Sequence, residues 1–167
     1  MRVIDAPESL SDLPRPAVFL AGGITGCPDW QNKVIAGLSD LDFGCVLNPR
    51  RANFPIHDPN AAREQITWEF NALHKADLFS MWFCNTESDL PICFYELGRY
   101  VAIRQVNVQL DRVLIGVETG FKRSQDVYIQ MELVNKGISD NIFSSLDDYI
   151  VALRELVLNF VSNTVFE

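Results

Sequence analysis

The chain has 167 residues, with 14 basic against 22 acidic, a formal net charge of -8 and 48% hydrophobic residues. That length and apolar content predict one domain over 1–167 with a substantial core, and they exclude a disordered chain. The acidic balance excludes a binder of the nucleic-acid backbone, and no apolar run approaches the roughly 18 residues of a membrane span. Residues 1–16 read as an N-terminal extension and 145–167 as a C-terminal helix and tail. The opening stretch, MRVIDAPESLSDLPRP, is polar, broken by proline and unlike a secretory signal, so a cytoplasmic location is expected. Cys27, Cys45, Cys84 and Cys93 are then expected to be reduced thiols. Their spacing is wide and irregular, and His57 and His74 fall outside any zinc-like cluster, so no metal site and no cofactor is expected.

Short apolar runs alternate with longer periodic ones. Ala17 to Ala21 (AVFLA) reads as a buried strand closed by a tight turn at Gly22-Gly23. Asp29 offers an N-cap for a helix from Trp30 to Leu41, with Trp30, Val34, Ile35, Leu38 and Leu41 at helical spacing. Gly44 stops it. Cys45-Val46-Leu47 is the second strand, ended by Asn48-Pro49 and followed by a polar loop with Arg50, Arg51 and two prolines. Ala61 to Ala76 is helical again, with Ile66, Phe70 and Leu73 on one face. Leu78 to Phe83 is the third strand, buried on both faces. After the loop from Asn85 to Leu90, Pro91 opens a helix that runs to about Gln105. Arg112 to Val117 is the fourth strand, and Ser124 or Gln125 to Lys136 is a helix stopped by Gly137. Ile142-Phe143 is a short fifth strand, and Leu146, Ile150, Leu153, Val157 and Phe160 form the apolar stripe of a final helix.

Alternating strands and helices with near-continuous apolar strands predict an α/β fold with a parallel sheet covered on both faces. The expected form is a flavodoxin-like, doubly wound sheet of five parallel strands in the order 2-1-3-4-5. Such sheets bind ligands beyond the carboxyl ends of strands 1 and 3, where the order reverses. The loop after strand 1, Gly22-Gly23-Ile24-Thr25-Gly26, has neither the spacing nor the lysine of a nucleoside-triphosphate loop, and it is not G-x-G-x-x-G. Its glycines serve a tight turn, a close approach of backbone to ligand, or both. The loop after strand 3 leads into Tyr95-Glu96-Leu97-Gly98. Glu96 stands among apolar neighbours close to the switch point; it either complements the helix dipole or faces a ligand. Glu69 lies inside the second helix beside Trp68 and Phe70, and Asp77 closes that helix, where capping or turn formation is its expected task.

The combination of FLAGGI at 19–24, W-E-x-x-x-L-x-x-A-D from Trp68 to Asp77, an apolar strand and Y-E-L-G-R-Y-V-A from Tyr95 to Ala102 resembles the nucleoside 2-deoxyribosyltransferase superfamily. That superfamily also holds the 2'-deoxynucleoside 5'-monophosphate N-glycosidases. The segment Gly137 to Tyr149 is similar to the stretch before the family's last helix, so the likeness spans roughly 17–150.

The resemblance implies cleavage or transfer of the N-glycosidic bond of a nucleoside or nucleotide. Glu96, in the E-L-G motif, is then the nucleophile. Glu69 sits where the family carries an acid for the base or leaving group, more often aspartate. Phe19, Gly22 and Gly23 fall in the matching FLAGGI segment, and Asp89 corresponds only loosely to a second acid before the nucleophile. Ser88 is the nearby candidate for a 5'-phosphate, and Gln130 or Glu132 for a residue given to a neighbouring subunit's site. A homo-oligomer is expected on the same ground, with the apolar tail Val161 to Phe166 as a segment to be covered. The chemistry suits these residue types: a carboxylate below C1' stabilises an oxocarbenium-like state and can form a glycosyl-enzyme, while a second carboxyl of raised pKa protonates the departing base. Interception by water makes a hydrolase and by another base a transferase; a non-catalytic nucleotide sensor on the same fold is the third possibility. Arg50 and Arg51 after strand 2, and Lys122 and Arg123 before a helix N-terminus, are either solvated loop residues or an anion site, with Arg51 the candidate substrate contact.

Overall fold

The computed structural model describes residues 1–55, 57–107 and 109–164. Among these residues six strands form one parallel sheet: β1 (Arg2–Asp5), β2 (Ala17–Gly22), β3 (Cys45–Asn48), β4 (Leu78–Phe83), β5 (Val113–Val117) and β6 (Ile142–Phe143). Between and after them run α1 (Trp30–Leu38), α2 (Ala61–Lys75), α3 (Pro91–Val106), α4 (Ser124–Val134), the short α5 (Lys136–Ser139) and α6 (Leu146–Thr164). The strand order is β1-β3-β2-β4-β5-β6.

The expected five-strand order is embedded in this sheet as β3-β2-β4-β5-β6, and the count of five is corrected to six. The added strand, β1, comes from the segment read as an extension, and it pairs with β3 from Arg2↔Cys45 to Asp5↔Asn48. Only Ile4 of its four residues is buried. A short edge strand has one free side and a partly solvated face, so Arg2 and Asp5 can stand in it and mask its pattern.

The sheet is covered on both faces. Along β4 the side chains alternate: Phe79 stacks on Tyr100 of α3 at 4.2 Å between ring centroids, whereas Trp82 meets Tyr149 of α6 at 5.2 Å. Helices α1 and α6 pack together, where Arg154 donates to the carbonyl of Gly37 and pairs with Asp40. Asp77 ties the end of α2 to the start of β2, accepting from Arg15 at 2.8 Å and from the Ala17 amide at 2.7 Å.

Helix α1 is shorter than its periodicity suggested, and α4 ends at Val134 before a separate turn. The inward face of α2 also differs. Ala61, Trp68, Ala72 and Leu73 are buried, while Ile66 is 65% exposed and Phe70 48%. Trp68 takes the core position because its indole N–H reaches the Glu8 carbonyl at 2.8 Å, a partner supplied by the N-terminal segment. The expected tail at 161–166 lies partly outside the described residues; Val161 packs partly buried against the core. No described helix is long and apolar enough to cross a membrane.

Candidate functional site

A cavity of about 630 Å³ opens at the carboxyl ends of β2, β3 and β4, the point where the strand order reverses. Its floor is Phe19 and the Gly22–Thr25 turn; Pro49, Arg51 and Phe54 come from the loop after β3, and Ser88 and Leu90 from the loop after β4. Helix α2 contributes Gln65, Ile66 and Glu69, and α3 contributes Pro91, Ile92, Cys93 and Glu96.

The glycine turn is required by its surroundings. Gly22 has φ +148°, and a Cβ there would strike the Trp82 backbone and come within 2.6 Å of the Trp30 ring. A Cβ on Gly23 would meet both cysteine sulfurs, Cys27 and Cys84, and Leu90. Leu90 itself adopts φ 50° and ψ 51°, a left-handed conformation costly for a branched residue, held by its buried side chain and by its amide donating to Ser88. The chain therefore turns abruptly into α3, with Pro91 at its first position and Glu96 in its second turn.

The four residues Asn48-Pro49-Arg50-Arg51 each have a separate task. Asn48 is buried; its amide donates to Asp5 at 2.8 Å and its side-chain oxygen accepts from the Arg50 amide. The Pro49 carbonyl accepts from Gln65 at 2.7 Å. Arg50 points away from the cavity and clasps the loop after β2, donating to Gln31 at 2.8 Å and to the carbonyls of Ile24, Cys27 and Pro28. With Nε and Nη2 engaged in this way, it is a structural residue. Arg51 does line the cavity; its side chain is 14% exposed, pairs with Glu64 at 2.8 Å and lies over the Phe54 ring.

Glu69 and Glu96 enter the same cavity from different helices. Burial raises the pKa of Glu69, opposed by a hydrogen bond from the Gln65 amide at 2.8 Å. Glu96 is pushed up to about 8, first by burial and second by the charge of Glu69. Near neutral pH Glu96 therefore keeps a proton, beside a Glu69 whose charge helps to hold it there. The pair can thus present one carboxylate and one carboxylic acid together. Cys93 lies against them, but burial and the Glu96 charge raise its thiol to about 12, so it is a packed thiol rather than a nucleophile.

Of the expected site residues, Phe19, Gly22, Gly23, Arg51, Glu69 and Glu96 line this cavity together with Ser88. Asp89 and Gln130 instead line a neighbouring groove between α3 and α4. Asp89 pairs with Lys122 at 3.1 Å, and Lys122 also donates to the Glu87 carbonyl, while Arg123 pairs with Asp126. The cations before α4 are therefore engaged, Lys122 by the loop after β4 and Arg123 by the first turn of α4. Among the described residues no cluster of His, Cys, Asp or Glu is placed to hold a metal ion.

Two features were not read from the sequence. One is Gln65, whose signal is its position four residues before Glu69, one helical turn away. The other is a disulfide between Cys27 and Cys84, which corrects the expectation of four reduced thiols; Cys45 and Cys93 are free and buried. The two half-cystines are 57 positions apart, yet they follow β2 and β4, which are neighbours in the sheet. Spacing along the chain does not report that adjacency.

A family model described as nucleoside 2-deoxyribosyltransferase like matches residues 15–114. The match runs from β2 into the first residues of β5 and includes every residue named in the cavity wall. No curated protein matches the chain.

Proposed function

This chain belongs to the nucleoside 2-deoxyribosyltransferase-like family, and from that membership we propose that it cleaves or transfers the N-glycosidic bond of a (deoxy)nucleoside or nucleotide through a glycosyl ester on Glu96. The single observation that carries this reading is the pairing of Glu69 and Glu96 in one cavity, both with raised pKa values.

In this reading a Glu96 carboxylate oxygen bonds to C1' of the sugar as the bond from C1' to the base nitrogen breaks. Burial places the pair's proton on Glu96 in the free site, so in this reading it passes to Glu69 as the substrate binds; the electron pair of the broken bond then goes to the base, and that proton goes with it. Free base and a glycosyl ester result. Glu69, now a carboxylate, takes the proton from water or from a second base as that nucleophile attacks C1', and Glu96 leaves as carboxylate. One proton shared by two carboxyls is the stoichiometry this cycle needs. The apolar wall of Phe19, Phe54 and Ile66 offers faces for a planar base, and Arg51 offers N–H donors at the same side of the cavity.

The family expectation of a homo-oligomer belongs to this reading. It is supported by apolar side chains exposed at the cavity, Ile66 at 65% and Ile92 at 64%, and by Tyr95 exposed on the same helix as Ile92. Light scattering that finds only an 18.9 kDa species at micromolar concentration would count against it.

The test is to incubate the protein with deoxynucleosides and their 5'-monophosphates, with and without a second free base, and to follow the bases by chromatography. Base release without an acceptor identifies a hydrolase, and exchange identifies a transferase. Binding with neither sinks the catalytic reading in favour of a sensor. A 2'-fluoro arabinosyl analogue should leave a sugar adduct on the peptide from Tyr95 to Arg99; an adduct elsewhere removes Glu96 from the role.

A further inference from the structure

We infer that Gln65 is a positioning residue that clamps one oxygen of the Glu69 carboxyl to the loop after β3 and leaves the other oxygen to carry the proton. The inference rests on the proposed role of Glu69 for its catalytic consequence, but not for its geometry.

The Gln65 Nε2 group donates twice, to the Pro49 carbonyl at 2.7 Å and to Glu69 Oε1 at 2.8 Å. A proline carbonyl can only accept, so this contact fixes which end of the amide faces it, and the second N–H must then point at an acceptor. Glu69 Oε1 is that acceptor. When Glu69 is protonated, the N–H is best met by the carbonyl-type oxygen, the stronger acceptor, so Oε1 takes that form and the hydrogen sits on Oε2. Proton delivery and return are thereby confined to a single atom.

The arrangement sacrifices a hydrogen bond to achieve this. Gln65 Oε1 is buried and has no partner among the described residues. An amide placed only for stability would not leave its acceptor orphaned, since an unmade bond at a buried group is a net cost. Residues 65 and 69 stand one turn apart on α2, so the helix itself sets the spacing of clamp and carboxyl. The anchor at Pro49 belongs to the same loop that brings Arg51 into the cavity. The other charged groups facing Glu69 across this space are Glu96 from α3 and Arg51.

The experiment uses the full chain with glutamate carboxyl carbons labelled with 13C, and the Glu69 resonance is assigned by its loss in Glu69→Gln. In Gln65→Met, which keeps side-chain length and removes both N–H donors, the Glu69 midpoint should move to higher pH. In the base-release assay kcat should fall about tenfold with KM little changed, the signature of a misplaced acid rather than of lost binding. In the Glu69→Gln background the same substitution should cost nothing further. Gln65→Asn, one methylene too short to span both acceptors, reports the same quantities if the first variant does not fold. A Glu69 midpoint that stays in place in a folded variant overturns the proposal, as does an additive loss in the double variant. If the wild-type chain releases no base, the proposed function fails, and the carboxyl titration alone still decides the clamp.

Discussion

Glu69 and Glu96 stand 27 positions apart in the chain, yet both line one cavity, and Glu96 is held up to about 8 by burial and by the charge of Glu69. The relationship places a charge-sensitive pair where the sheet reverses its strand order, between helices that pack on the same face.

Replacing Glu96 by Gln should abolish turnover and stabilise the fold at high pH. A carboxyl whose pKa is raised from 4.5 to about 8 on folding binds more protons in the native state than in the unfolded one. Its stability is therefore fully present below about pH 4.5 and is lost as pH rises through about 8. Glu96→Gln removes that loss, a gain of about 2–3 kcal/mol at pH 9 after discounting for partial solvent access, while turnover falls at least about ten-thousand-fold. Thermal melts at pH 5 and pH 9 check this: the difference from wild type should appear only at the higher pH.

The pH profile of kcat/KM should be bell-shaped, with its alkaline limb near 8, because only the singly protonated pair holds both an acid and a nucleophile. In Glu69→Gln the like charge is gone, so the Glu96 midpoint should move down. With no acid left to lose its proton, the alkaline limb should disappear, leaving slow turnover that persists to higher pH. An unshifted Glu96 resonance in a carboxyl titration of that variant would refute the coupling.

Gly22→Ala should be strongly destabilising. The backbone at φ +148° disfavours any side chain, and the new methyl would press on the Trp82 backbone and the Trp30 ring. A loss of about 2–4 kcal/mol is expected from denaturant titration, against a gain of about 0.5–1 kcal/mol for an alanine at Gly98, in the interior of α3, whose added Cβ meets nothing within 4 Å.

Under denaturing, non-reducing conditions an alkylating reagent should modify Cys45 and Cys93 alone, and all four cysteines after reduction. Because the cross-link closes a separation of 57 residues, reduction should cost up to about 4 kcal/mol and lower the melting temperature by several degrees. The same treatment should weaken ligand binding, since the bond ties the two loops that meet at Gly23. Four alkylated cysteines before reduction would rule out the bond.

The apolar runs at Ala17–Gly22, Cys45–Asn48 and Leu78–Phe83 and the periodic segments between them were enough to determine a parallel sheet, its reversal point and Glu96 beside it, while Glu69 was drawn to the site by the family resemblance. These are properties of short windows, in which hydrophobic period and turn residues report local structure directly. The tertiary structure decided what depends on neighbours distant in the chain. It made Arg2–Asp5 a strand by giving it β3 to pair with, and it turned Trp68 rather than Ile66 and Phe70 into the core. It also sent Arg50 into a loop clasp and Arg51 into the cavity, though the two arginines are adjacent in sequence. Adjacent residues on a turn point in different directions, and the partners that select between them, Gln31 for one and Glu64 for the other, come from other elements. Likewise Cys27 meets Cys84, and Gln65 finds the Pro49 carbonyl, only because parallel strands end side by side. Local pattern carries the elements; the pairing of their ends, which builds the site, is set by which strands become neighbours.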